Sequence, residues 1–174
     1  MAPNLSLTSF SSATGAQSEG FDGQTAWGRN AGGVVSDRPS VDQQRAKRGA
    51  DMLGNLGLGQ EYTRMEVVGR EPIEGRDAYR VIGYPEGDSP EQLYFDANSG
   101  LLLRRATSLP TPLGDTPFQV DYADYRDTGS GVKMPFLIQM TPASARSEPQ
   151  THSTFRVQRV QDNPPIESRK FARP

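Results

Sequence analysis

Apolar and polar residues alternate most cleanly in the second half of the chain. Phe118, Val120 and Tyr122 recur at every second position, and so do Phe136, Ile138 and Met140. A period of two puts such residues on one face of a strand. Shorter apolar runs predict further strands, giving a series at 63–70, 77–84, 92–96, 101–107, 118–125, 132–141 and 152–160. Turn formers separate them: Glu74-Gly75, the stretch 85–90 with a proline at each end, and Asn98-Ser99-Gly100. Consecutive strands with short links predict an antiparallel meander. Tyr125 falls out of phase with its own strand, which predicts a bulge near Ala123. Leu101-Leu102-Leu103 and residues 79–82 are apolar on both faces, so these strands are expected to be covered on both sides, with a helix on one of them.

The first third has a weaker pattern. Residues 4–10 predict a short strand, and the small polar stretch 11–18 reads as a turn or loop; 1–18 is expected to be weakly ordered or an edge strand. Asp22-Gly23 lies between two β-prone stretches and predicts a type I′ hairpin turn. Residues 28–37 read as a loop around Gly32-Gly33. Ser40-Val41-Asp42-Gln43 matches a capping box, with Asp42 favourable at the positive helix end. Ala46, Ala50 and Leu53 follow at helical spacing, with Leu56 beyond, and the helix should stop at 54–57. The expected fold class is mainly β (α+β): a curved antiparallel meander forming an incomplete, half barrel, with this one main helix on its concave face.

Length and composition narrow the function. The 174 residues suit a single domain, 1–174. A formal charge of −2 gives no basic field for nucleic acid. No apolar run approaches the roughly 20 residues of a transmembrane helix. The chain has no cysteine, which removes disulfides, thiolate zinc sites and covalent haem attachment, and no cofactor is expected. The start carries neither a basic segment nor an apolar one, so it does not read as a signal peptide.

Catalytic patterns are equally sparse, and no enzyme is expected. His152 is the one histidine, on a polar segment without carboxylates at ligand spacing. No Gly-x-Ser-x-Gly turn is present. Asp121, Asp124 and Asp127 lack the order of a calcium loop, and a spacing of three sends strand side chains to opposite faces. The glycines at 54–59 lack the lysine of a phosphate loop and follow a helix instead of opening one. Trp27, Tyr79, Tyr94, Phe95, Phe118 and Tyr122, with Phe136, are open to two readings, a ligand cavity or plain core.

Several segments, taken in order, carry a resemblance. They are Gly20-Phe-Asp-Gly-Gln-Thr-Ala-Trp27 ahead of a helix, Val67-Val-Gly-Arg-Glu-Pro-Ile-Glu-Gly-Arg-Asp-Ala-Tyr-Arg80, and Glu91-Gln-Leu-Tyr-Phe-Asp-Ala-Asn-Ser-Gly-Leu-Leu-Leu-Arg-Arg105. Val120-Asp-Tyr-Ala-Asp-Tyr-Arg126, Gly131-Val-Lys-Met-Pro-Phe136 and Pro165-Ile-Glu-Ser-Arg-Lys-Phe171 complete the set. From Gly20 to its end the chain resembles the outer-membrane lipoprotein carrier and sorting superfamily, in the broad LolA-like sense. A similar domain is seen in reaction-centre cytochrome c-like proteins. The resemblance implies a half barrel around an apolar cavity, a periplasmic setting and carriage of lipoprotein acyl chains. Ligand-lining residues are then expected at Trp27, Leu53, Leu56, Val81, Phe95, Leu102, Phe136 and Ile138. The family's usual front section is missing or reduced to residues 4–10, so the N-terminus is expected to be truncated and to leave a sheet edge for a protein partner. An interaction module of a larger envelope or electron-transfer assembly is therefore the alternative to a carrier.

Overall fold

The computed structural model describes residues 4–50, 61–111, 114–129, 131–142, 152–161 and 164–174. The chain is mainly β and forms two compact units. One comprises Met1–Glu61 with Pro165–Pro174, the other Tyr62–Pro164.

The first unit is a four-stranded antiparallel sheet of β1 (Ser6–Ser12), β2 (Gly15–Phe21), β3 (Ala26–Arg29) and β4 (Val35–Asp37), in that order. Stretch 11–18 is thus not a loop. It is the end of β1, a tight turn and the start of β2, with Ser12 paired to Gly15. No Asn-Gly or Asp-Gly marks this turn; the Ser12 hydroxyl holds it by donating to the Gly15 carbonyl at 3.1 Å. Stretch 28–37 likewise contains β4, which reverses from β3 through bonds between Asn30 and Val34 and between Gly33 and Asn30. The link at Asp22 is longer than a type I′ turn. Four residues join Phe21 to its partner Ala26, and Gly23 alone among them has positive φ, at 97°. The Asp22 carboxylate closes it by accepting from the backbone of Gln24 (2.9 Å) and Thr25 (2.7 Å), which holds its pKa below the usual range.

Helix α1 (Ser40–Ala50) begins where expected, with Pro39 accepting the first helical bond from Gln43. Ala46 and Ala50 pack with Phe21 and Ala26 of the four-stranded sheet. Leu53 and Leu56 lie outside the described residues. The Gln43 side chain is engaged not in a capping box but by the backbone of Ala26 and of Arg38, just ahead of the helix.

The second unit is a seven-stranded meander: β5 (Tyr62–Ile73), β6 (Arg76–Pro85), β7 (Glu91–Asp96), β8 (Leu102–Thr111), β9 (Gly114–Asp127), β10 (Lys133–Pro142) and β11 (Ser153–Arg156). Each strand pairs antiparallel with its sequence neighbour. All seven predicted strands are present. Glu74 and Gly75, at φ of 50° and 79°, form the two-residue turn between β5 and β6. Among the described strands β5 and β11 are free ends of the sheet, so no barrel closes.

Two expectations fail here. The β9–β10 register runs without a shift from Asp127 to Phe118. No residue is inserted before Tyr125: the unbroken register sets it on the face of Ala123, opposite Tyr122, after Asp124 at a φ of 54°. The doubly apolar strands are also unevenly covered: Val81 and Leu103 are buried, whereas Tyr79 is 40% exposed.

Candidate functional site

Strand register decides which side chains share a face, because directly paired residues point the same way. Val81 pairs with Leu93, Leu93 with Arg105, Arg105 with Val120, and Val120 with Met140. Two residues along, Tyr79 pairs with Phe95 and Phe95 with Leu102, while Tyr122 pairs with Ile138 and Ile138 with Phe155. Phe136 precedes Ile138 by two and shares its face. The register therefore brings Val81, Phe95, Leu102, Phe136 and Ile138 onto one apolar face of the second unit. A shift between β7 and β8 matters for this: it sets Leu102, and not Leu103, opposite Phe95.

The centre of this face is closed and its margins are open. Leu93 is completely buried, with Val81 and Val120 nearly so. Phe95, Leu102, Phe136, Ile138 and Met140 are half-buried, and Tyr79 and Phe155 are exposed. At one margin the Arg126 guanidinium lies 4.6 Å from the centre of the Phe136 ring. Arg126 is held by the Asp124 carboxylate, and this hydrogen bond lowers the Asp124 pKa and raises that of Arg126.

One polar cluster is set into the same face. Glu91, two residues before Leu93, is almost fully buried. One of its oxygens accepts from the Tyr62 hydroxyl at 2.8 Å and from Arg105 Nε at 2.6 Å. Buried charge is tolerable only with such partners. Composition gave no sign of the cluster, because its members are 14 and 29 residues apart.

The opposite face is different in kind. Ile73, Ala78, Tyr94 and Leu103 form its core. Beside them Arg104 binds Asp121 at 2.5 Å, and Gln119 donates to the same carboxylate at 2.6 Å. A cavity of about 50 Å³ opens here beside Leu103, Asp121 and Leu137. It has room for water, not for an acyl chain, since ligand pockets run to roughly 300 Å³ or more.

Trp27 is enclosed in the first unit, with its ring against Gly20 and its indole N–H donating to the Phe171 carbonyl at 3.3 Å. Among the described residues no group of three acidic or histidine side chains is placed to hold a metal ion. Asp121 and Asp124 are engaged by arginines, and Asp127 accepts from the backbone of Gly129 and Gly131. His152 is exposed just before β11, and the 54–59 glycines lie outside the described residues. No described helix is long and apolar enough to cross a membrane.

No protein-family model and no curated protein matches the sequence. Solved structures do match the fold. A domain described as outer membrane lipoprotein-sorting, from Vibrio parahaemolyticus, superposes with a TM-score of 0.60 at 14% identity, over 95% of this chain and 74% of that one. A LolA superfamily protein from Nitrosomonas europaea gives 0.56, also at 14% identity, over 90% and 70%. The chain thus has the fold of the LolA superfamily, in line with the resemblance carried by its motifs.

Proposed function

We propose that this chain is a non-catalytic carrier of the bacterial cell envelope, which holds an apolar ligand such as lipoprotein acyl chains on the face built by Val81, Phe95, Leu102, Phe136 and Ile138. The supporting observation is that one register-defined face concentrates these side chains and leaves its margins half open. Contiguous exposed apolar surface favours contact with another apolar body. In this reading the seven-stranded sheet curves as an incomplete barrel, the setting is periplasmic, and cargo moves by differential affinity without covalent chemistry. The fold shared with lipoprotein-sorting domains points the same way. A second reading, an interaction module within a larger envelope or electron-transfer assembly, draws on the exposed strand β1 at the edge of the first unit.

The deciding experiment exposes the purified protein to a bacterial lipid extract and reads bound species by native mass spectrometry. The carrier reading expects acyl-bearing adducts, and it expects Ile138→Asp to reduce their occupancy about tenfold or more by placing a charge on the face. A wild-type chain that emerges without any acyl adduct would sink it.

A further inference from the structure

Among the described strands the two sheets have four edges, β1, β4, β5 and β11, and three of them are blunted. Strand β5 has two register shifts against its neighbour and carries Pro72, Arg64, Glu66 and Arg70. Strand β11 has four residues and ends on Arg156. Strand β4 has three, and its Asp37 is tied to Arg173 at 2.6 Å. Bulges, prolines, charges and shortness are the devices that stop a sheet edge from recruiting another strand. Strand β1 has none of them. Its seven residues, Ser-Leu-Thr-Ser-Phe-Ser-Ser, include no charge, proline or glycine. Its register with β2 is unbroken from Ser6 to Ser12. Residues 7–12 are exposed, Leu7 at 40% and Phe10 at 46%.

We infer that β1 is a self-association strand: two copies of this chain pair their Ser6–Ser12 segments antiparallel and join their four-stranded sheets edge to edge. The occupant follows from charge. A charged partner strand would meet no counter-charge on β1, whereas a second copy meets a strand as neutral as itself. An antiparallel self-pair is isologous, with its two-fold axis perpendicular to the sheet. Residues of equal parity then lie on one face, so each Phe10 sits among Thr8 and Phe10 of the other copy, an aromatic and β-branched grouping that stabilises cross-strand pairs. A seven-residue pair falls short of the roughly 1,600 Å² of a standard stable interface, so the dimer is weak and concentration-dependent. This inference does not rest on the ligand reading.

Sedimentation velocity on the full chain from about 5 to about 500 micromolar tests it, because mass action makes a weak dimer visible across such a range. The expected result is a mass rising from 19.0 kDa towards twice that value. Phe10→Lys and Phe10→Glu, checked for folding through Trp27 fluorescence, should each stay monomeric, and mixing the two should restore the dimer. Backbone amides of Ser6–Ser12 should gain hydrogen-exchange protection with concentration in the wild type only. A wild-type chain that stays monomeric throughout overturns the proposal, as does a dimer that both variants retain.

Discussion

The side-chain amide of Gln43 brackets the backbone of Ala26, accepting from its N–H at 2.5 Å and donating to its carbonyl at 3.2 Å. The same amide nitrogen reaches the Arg38 carbonyl at 3.0 Å. One helix side chain therefore satisfies the first residue of β3 and the approach to α1 together. Ala26 is buried, so its N–H has no recourse to water. Gln43→Leu should destabilise the first unit by about 1–3 kcal/mol, the usual cost of orphaning a buried donor. Trp27, the chain's single tryptophan, lies in that unit, so urea unfolding followed by its fluorescence reads the effect directly.

Gly83 makes room for the Tyr62 ring. A Cβ at position 83 would approach Tyr62 Cδ1 to 2.7 Å, inside any normal contact. The ring cannot yield freely, because its hydroxyl is bonded to buried Glu91. Gly83→Val should cost roughly 1–3 kcal/mol through overpacking. Thermal unfolding by far-ultraviolet circular dichroism checks it, and an unchanged midpoint would show that Tyr62 can swing aside.

Acid should loosen the β7–β8 turn. The Asp96 carboxylate accepts from the Ser99 hydroxyl (2.7 Å), the Ser99 N–H (2.7 Å) and the Asn98 N–H (3.1 Å), and pairs with Arg76 at 2.8 Å. These bonds, led by that from the Ser99 hydroxyl, hold its pKa below 3.8. A depressed carboxylate stabilises the fold above its unfolded pKa and loses that contribution as pH falls through the folded value. The wild type should therefore lose stability below pH 3.8 more steeply than Asp96→Asn. Denaturation midpoints measured at a series of acid pH values give the comparison; parallel curves would rule the idea out.

Tyr125 should govern the alkaline side. Its hydroxyl donates to the Leu102 carbonyl at 2.6 Å, and burial pushes its pKa from 10.0 to about 12. A phenol whose pKa is raised by folding contributes stability below its unfolded value and loses it as pH rises towards the folded one. Stability should fall between pH 10 and about 12 in the wild type, and less so in Tyr125→Phe. Phenolate absorbance should show one fewer late-ionising tyrosine in Tyr125→Phe than in the wild type, and equal numbers would indicate that the Tyr125 hydroxyl is accessible to solvent.

Local signals were enough for the seven-stranded meander. The alternation of Phe118, Val120 and Tyr122, and turns such as Glu74-Gly75, depend only on neighbouring residues, so the sequence announced them. The hairpin at Ser12–Gly15 and strand β4 were not legible: neither carries an apolar alternation, and Gly32-Gly33 before β4 marks only a reversal, not the three-residue strand after it. Cross-strand pairing alone makes them strands.

The residues of the proposed site show the same division. Sequence by itself determined that Phe136 and Ile138 share a face, because period two is intrinsic to an extended chain. It could not determine that Phe95, Leu102 and Val81 lie on that face as well. That follows from the register of four strand pairings and from the shift that sets Leu102 opposite Phe95. Trp27 was equally undetermined: its packing against Gly20 and its bond to Phe171, 144 residues away, make it core. Strand existence is a short-range property of the chain, whereas the side on which a residue lies and the depth at which it is buried are set by contacts between residues distant in sequence.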